Sequence, residues 1–400
     1  SLGQALLQTK LQIPQERPSL VRRLRLFEKL NAGLAGGVTL VAAPAGFGKT
    51  TLLAEWIRHE ARFPGEKVIP PAAWLSLDEQ DNDPARFLTY LAAALGSVVD
   101  DVGALREAPL PAMLQGPQTL PLEAVITSLI NEIGRSPEPF LLVLDDYHLI
   151  KEQQRHDVMA FLLGHLPPSL HLVLASRADP PLPMARLRGQ GVLYEIRQDD
   201  LCFTKGETDE LLNQLLGLEL AEEDLDRLNR RTEGWAAGLQ MAAVSLRQRE
   251  DPATFIQAFS GSNRFVLDYL MEEVLAQQTP AVQQFLLYTS VLERLTDSLC
   301  MHLLTAVPDV GDEGGSPIRA QARADSGILT APTDDKGDGP SLGSLDAANL
   351  FVVPLDDQRL WYRYHRLFAD LLSQRLQKSA PDLVSALHAR ARDWFWQEGW

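Results

Sequence analysis

The sequence predicts an α/β chain: a parallel-sheet domain, then a small helical domain, then a winged-helix domain. Three observations carry this. Short apolar or β-branched runs alternate with helical patterns over roughly residues 17 to 195, as a parallel sheet requires. From about Lys205 the β-signal disappears into short amphipathic helices. Near the other end, NLFVVPLDDQRLWYRYHRLFADLL reads as a β-hairpin running into an amphipathic helix.

Strands are expected at Val38–Ala42, Ala73–Leu77, Phe140–Leu144, Leu170–Ala175 and Leu193–Arg197. The near-continuous hydrophobicity of FLLVL and HLVLAS fits central strands covered on both faces. Helices are expected at Thr50–Arg58 and Pro84–Leu95, and the Pro-, Gly- and Ala-rich stretch Asp101–Leu120 reads as a surface loop. Thr204 followed by Glu207 is a capping-box pattern opening the helical region, which runs in short helices to about Gly261. FVLDYLMEEVL and AVQQFLLYTSVL repeat apolar residues at helical spacing, whereas Ala306–Leu342, rich in Gly, Asp, Pro, Ser and Ala, reads as a flexible insertion. The implied domains are 1–200 (sheet domain with an N-terminal arm), 201–262 (helical), 263–378 (winged helix, interrupted at 306–342) and 379–400 (the start of a TPR-like helical arm).

A chain of 400 residues is too long for one ordinary domain, and 45% apolar with 22% charged residues is the composition of a folded soluble protein. A net charge of −16 argues against this stretch being a nucleic-acid contact surface. Cys202 and Cys300 are too few and too far apart for a disulfide framework or zinc site, which fits a reducing cytoplasm. No apolar run approaches a membrane span and no signal peptide is recognisable. Starting at Ser1 and stopping at Trp400 within a helical pattern, the chain reads as a piece of a longer protein.

The chemistry centres on APAGFGKTT, Ala43 to Thr51, between an apolar strand and a helix. That order makes a phosphate-binding loop. Gly46 and Gly48 let backbone N–H groups close on phosphate oxygens, Pro44, Ala45 and Phe47 complete the turn, and the new helix points its positive end at the anion. Lys49 can reach β- and γ-phosphates, the Thr50 hydroxyl can sit on Mg²⁺, and Thr51 follows in the first helical turn. The first glycine of the usual pattern is replaced by Ala43. FLLVLDD supplies the second element: Asp145 for the Mg²⁺ site, Asp146 to polarise an attacking water. Arg177, just beyond HLVLAS, is placed to sense a γ-phosphate. His365 lies beside an apolar stripe of Trp361, Tyr364, Phe368 and Leu371, where a partly buried structural histidine is the default.

These motifs, with TKLQIPQERPSLVRRLRLFEKL, AAWLSLDEQDNDPARFLTYLAAAL, LVLASRADPPLPMARLRGQG and RTEGWAAGLQMAA, resemble the nucleotide-binding core of MalT-like regulators. These are the large ATP-binding LuxR-type transcription regulators of the STAND class of signal-transduction ATPases. The resemblance implies an AAA+/STAND-like P-loop fold over nearly the whole chain. It implies that Val21 and Arg23, with Leu20, lie in an arm beside the adenine, and that Arg177 is the first sensor. Gly234, in Gly234–Gly238, lies where relatives carry a Gly-x-Pro turn over the adenine, with Ala236 or Ala237 in the proline position. His365 matches a histidine that closes the ADP-bound state.

The function implied by the resemblance is a slow ATPase acting as a switch, with ADP in a closed resting state. ATP and an unknown inducer, bound to a sensor domain outside this chain, drive opening and self-association. DNA would be bound only through a further absent domain, and no membrane contact is expected. Reversing a 1:99 ratio needs about 5.5 kcal/mol of differential binding. One charge-assisted hydrogen bond, at about 1.5–3 kcal/mol, falls short, so the inducer must supply the rest. The alternative within the class is the core of a defence or other effector with a non-DNA output. A continuously turning motor, a small-molecule kinase and a non-hydrolysing scaffold fit the motifs less well.

Overall fold

The strands form where the sequence is apolar on both faces. In the computed structural model, β1 (Val38–Ala42), β3 (Phe140–Asp145) and β4 (Leu170–Ser176) are buried at every position. With β2 (Ala72–Ser76) and β5 (Leu193–Ile196) they make one parallel sheet in the order β2-β3-β4-β1-β5. The structure describes residues 6–15, 20–62, 69–98, 122–247, 251–304 and 340–399. It divides into two compact units, Ser1–Gly217 and Leu218–Trp400.

In the first unit α1 (Leu24–Gly33) precedes the sheet, and the crossovers that parallel neighbours require are supplied by α2 (Lys49–Arg62), α3 (Pro84–Leu95), α4 (Leu122–Gly134), α5 (Gln153–Gly164) and α6 (Met184–Gly189). Two short helices, α7 (Gln198–Leu201) and α8 (Lys205–Asp209), follow the last strand, α8 running into a π-turn at Glu210–Leu215. Leu142, Leu172 and Leu174 of the sheet pack in one core with Phe87, Leu91, Met159 and Leu162 of the helices. Each fully buried side chain of this kind contributes about 1.5–3 kcal/mol.

The strand ends differ from expectation by a residue or two, for local reasons. β3 and β4 run on to Asp145 and Ser176 because these residues still have register partners, Ser76 and Ala42. β5 stops before Arg197, whose N–H turns to the Asp200 carboxylate at 2.9 Å to open α7. α3 has its predicted limits: Asp83 accepts from the Arg86 N–H at 2.8 Å and proline takes the first turn. The capping box at Thr204 and Glu207 is formed, with bonds of 3.2 and 2.9 Å.

The second unit is helical: α9 (Glu222–Thr232), α10 (Ala236–Leu246), α11 (Pro252–Ala258), α12 (Arg264–Leu270), α13 (Pro280–Thr289), α14 (Asp297–Leu304) and α15 (Leu342–Ala347). The hairpin then pairs β6 (Val352–Pro354) antiparallel with β7 (Tyr362–Tyr364), and Leu295 bridges to Tyr362 on the outer edge. α16 (Arg366–Ser379) and α17 (Pro381–Gln397) follow, and Leu387, Ala391 and Trp394 of α17 pack on Leu299, Leu303 and Leu376.

The structure corrects one expectation. The flexible insertion does not extend through Leu342: Ser341 caps α15, and Leu342 is buried with its N–H on Asp297 Oδ1 at 2.7 Å. Composition averaged over the segment hides the apolar pair Leu342 and Leu345. The apolar stripe of Trp361, Tyr364, Phe368 and Leu371 runs from the hairpin into the helix as expected: Trp361 precedes β7, Tyr364 ends it, His365 is the residue before α16, and Phe368 and Leu371 lie on α16. The expected loop at Asp101–Leu120 and residues 306–339 of the expected insertion lie outside the described residues.

Candidate active site

The sheet order places the chemistry. The chain leaves β1 toward β2 and leaves the adjacent β4 in the opposite direction, to β5, and the crevice beyond the carboxyl ends at such a switch point is where α/β sheets bind ligands. Ala43 leaves β1 with its N–H on the Ser176 carbonyl at 3.3 Å, so the loop starts beside the end of β4 and Arg177. Gly46 and Gly48 take φ of 78° and 77°, a region that disfavours side chains, and Phe47 between them is buried as an anchor. A Cβ on Gly48 would meet nothing within 4 Å, so it is the left-handed φ rather than crowding that calls for glycine there. Pro44 and Ala45 are buried in the same turn, and α2 begins at Lys49, with Thr50 and Thr51 in its first turn.

Lys49 is buried and donates to the carbonyls of Ala43 at 2.7 Å and Pro44 at 2.9 Å. Burial, and then the charge of Arg177, bring its ammonium down to about 8, against the pull of Asp146 and Asp145. Asp145, at the end of β3, accepts from the Thr50 hydroxyl at 3.0 Å and the Asp146 N–H at 3.1 Å. Burial, and then its neighbour Asp146, push its carboxyl up to about 7. A serine- or threonine-type hydroxyl beside a desolvated carboxylate is a donor set suited to Mg²⁺, and a cation there would relieve the cost of ionising Asp145. Asp146 follows with a left-handed φ of 58°, so the chain turns sharply off the strand at the second carboxylate.

The sequence alone does not single out His148. Its Nδ1 is buried without a hydrogen-bond partner, 3.8 Å from Asp146 Oδ1. Burial, and then the charges of Arg177 and Lys49, hold the ring neutral down to about 3. A neutral imidazole with an unsatisfied nitrogen among these groups can meet a phosphate oxygen or a water. The only sequence signal is its place three residues beyond Asp145.

In the N-terminal arm Val21 is buried and Arg23 is committed to the chain that leaves the sheet. Its guanidinium donates to the carbonyls of Leu201 at 2.8 Å and Cys202 at 3.1 Å, and it stacks over Phe203 at 4.6 Å. Burial lowers its pKa.

Gly234 and His365 belong to the second unit. Gly234 has φ of 70° and Glu233 of 51°, making the turn between α9 and α10, with Ala236 and Ala237 opening α10. His365 is buried at the start of α16 and its Nε2 donates to the Thr232 carbonyl at 3.0 Å. Its Nδ1 has no hydrogen-bond partner, and burial lowers its pKa. Glu233 accepts both guanidinium nitrogens of Arg363, at 2.8 and 2.7 Å, and the Arg366 N–H at 3.0 Å. Lys49, Thr50, Asp145, Asp146, Arg177 and His148 are thus gathered in the first unit, and Gly234 and His365 in the second. Among the described residues no group of three or more His, Cys, Asp or Glu could hold a metal, and no helix is long and apolar enough to cross a membrane.

Comparison with known proteins agrees. The model of an AAA ATPase domain matches residues 16–175, and that of the MalT winged helix domain matches residues 271–313 and 321–384. The HTH-type transcriptional regulator MalT of Yersinia enterocolitica is 34% identical over 392 residues, 97% of this chain and 39% of that protein. The same regulator of Yersinia pestis is 33% identical over the same shares. The chain therefore spans well under half the length of these relatives. Among solved structures, Cdc6p of Pyrobaculum aerophilum is 13% identical over 93% of this chain and 99% of its own, with a TM-score of 0.40, too remote to weigh.

Proposed function

The chain is MalT-like, an AAA ATPase domain followed by a MalT winged helix domain, and on that premise we propose that it is the nucleotide-controlled switch of a transcription regulator. The observation that carries this is the pairing of the left-handed glycine turn with buried Lys49 and with the Thr50–Asp145 hydrogen bond. In this reading Lys49 exchanges the carbonyls of Ala43 and Pro44 for the β- and γ-phosphates of ATP. Thr50 and Asp145 hold Mg²⁺, which supplies charge neutralisation at the phosphates when bound. Asp146 orients and polarises the attacking water, and Arg177 and His148 face the γ-phosphate.

ADP holds a closed resting state, with Val21 and Arg23 in the adenine-side arm and Gly234 and His365 on the clamping side. ATP, with an inducer bound to a sensor outside this chain, favours opening and self-association, and slow hydrolysis resets the switch. DNA contact lies outside this chain; the curated relatives are HTH-type regulators, which supports a DNA-directed output over another effector. The domain limits proposed are 1–200, 201–262, 263–378 and 379–400, and a cytoplasmic location goes with the reading.

Denaturing the purified protein and identifying released nucleotide by ion-exchange chromatography tests this. Stoichiometric ADP from the unmodified chain, absent from Lys49→Ala and reduced in His365→Ala, is the expected result. An empty site with rapid ATP turnover would replace the switch by a constitutive ATPase.

A further inference from the structure

The Asp81–Asn82–Asp83 segment has no part in the site as described, yet Asn82 grips the turn that carries it. The turn runs from Asp146 through the 3-10 residues Tyr147–Leu149 to α5, whose N-cap Glu152 makes no capping bond with its own side chain. Asn82, from a distant part of the chain, instead ties down the two residues that lead into the helix. Its Oδ1 accepts the N–H groups of Lys151 at 2.7 Å and Glu152 at 3.1 Å. Its Nδ2 donates to the carbonyls of Leu149 at 2.9 Å and Glu79 at 2.9 Å. Both donors and both lone pairs of the amide are used, which no apolar or hydroxyl side chain could reproduce.

The residue is itself held from both sides. Asp81, fully buried, accepts from Lys10 of the N-terminal arm, from Arg86 Nε at 3.1 Å and from the Asp78 N–H at 2.8 Å. Asp83 caps α3. A rigid support on one side and a short strained turn on the other is the arrangement of a positioning group, since displacement of a reacting group by about 1 Å can cost about 100-fold in rate.

We propose that Asn82 is a positioning residue for ATP hydrolysis, fixing the turn that bears Asp146 and His148 against the phosphate site. The inference rests on the ATPase reading above. In the full chain, Asn82→Ala is expected to slow single-turnover ATP hydrolysis by about 10- to 100-fold, with nucleotide Kd changed by less than about threefold. Hydrogen exchange of the peptide spanning residues 147–152 rises with it. Asp83→Ala, which removes the neighbouring cap, is the control: it lowers thermal stability but leaves hydrolysis within about threefold and exchange at 147–152 unchanged.

Hydrolysis by Asn82→Ala within threefold of the unmodified chain overturns the inference. So does an equal loss in Asp83→Ala. If the unmodified chain hydrolyses no ATP, the ATPase reading falls and the positioning role with it. In an active chain, unchanged exchange at 147–152 in Asn82→Ala overturns the inference alone.

Discussion

The phosphate loop and the Glu233–His365 cluster both bury ionisable groups, and they treat them in opposite ways. At the loop, Lys49 and Asp145 are held away from their ordinary ionisation, the ammonium down to about 8 and the carboxyl up to about 7. Their hydrogen-bond partners are carbonyls, a hydroxyl and a backbone N–H, and the attraction between Lys49 and the two carboxylates is too weak to offset burial. At the cluster, burial alone would raise the Glu233 carboxyl, but Arg363, His365 and the Arg366 N–H bring it below the ordinary range. Desolvated charge that its neighbours do not fully compensate is stored cost that a charged ligand can release; a hydrogen-bonded ion pair is a fastening.

The sharpest way to break this comparison is to neutralise each carboxylate. A carboxyl raised in the folded state contributes stability below its unfolded pKa and loses it as pH rises through its folded value. For Asp145 that window runs from about 4 to about 7. At pH 8, Asp145→Asn in the nucleotide-free protein is therefore expected to gain on the order of 2–4 kcal/mol in urea unfolding, while hydrolysis falls at least about 1000-fold. A loss of stability at pH 8 would show that Asp145 is already paired.

Next in size is a proton linkage. Mg²⁺ at Thr50 and Asp145 needs the carboxylate ionised, so Mg²⁺-dependent nucleotide affinity should rise about tenfold per pH unit below about 7 and level off above it. Calorimetry in buffers of different ionisation enthalpy checks this through the protons released. A flat profile between pH 5.5 and 7 would remove Asp145 from the cation site.

The smallest effect belongs to the fastening. Glu233 has a lowered folded pKa, so its stabilisation is present above the unfolded value and lost as pH falls through the folded one. Glu233→Gln is expected to destabilise by about 1–2 kcal/mol at pH 7, the pair being partly exposed, and by nothing measurable in acid. Urea unfolding at the two pH values reads the difference.

Much of the fold and of the phosphate site is legible in the residues alone. The strand–loop–helix at Ala43–Thr51, the two carboxylates after FLLVL, the cap at Thr204 and the hairpin before His365 all lie where the residues put them. His148 is not legible, because one imidazole after a strand carries no signal until burial and the charges of Arg177, Lys49 and Lys151 act on it. Nor is Asn82, whose partners on the turn lie 67 to 70 residues away. Leu342 sits at the end of a low-complexity stretch whose composition its burial contradicts.

The sequence by itself determined the local conformations: positive φ demands glycine at 46 and 48, continuous apolar runs demand buried strands, and Asp83 and Thr204 start helices. Only the tertiary structure decided the charge states and the partners. Register sets Ser176 beside Ala42 and Asp145 beside Ser76, bringing Lys49, Asp145 and Arg177 into one desolvated corner. Desolvation and Coulomb interaction depend on distance in space, and distance along the chain does not encode them.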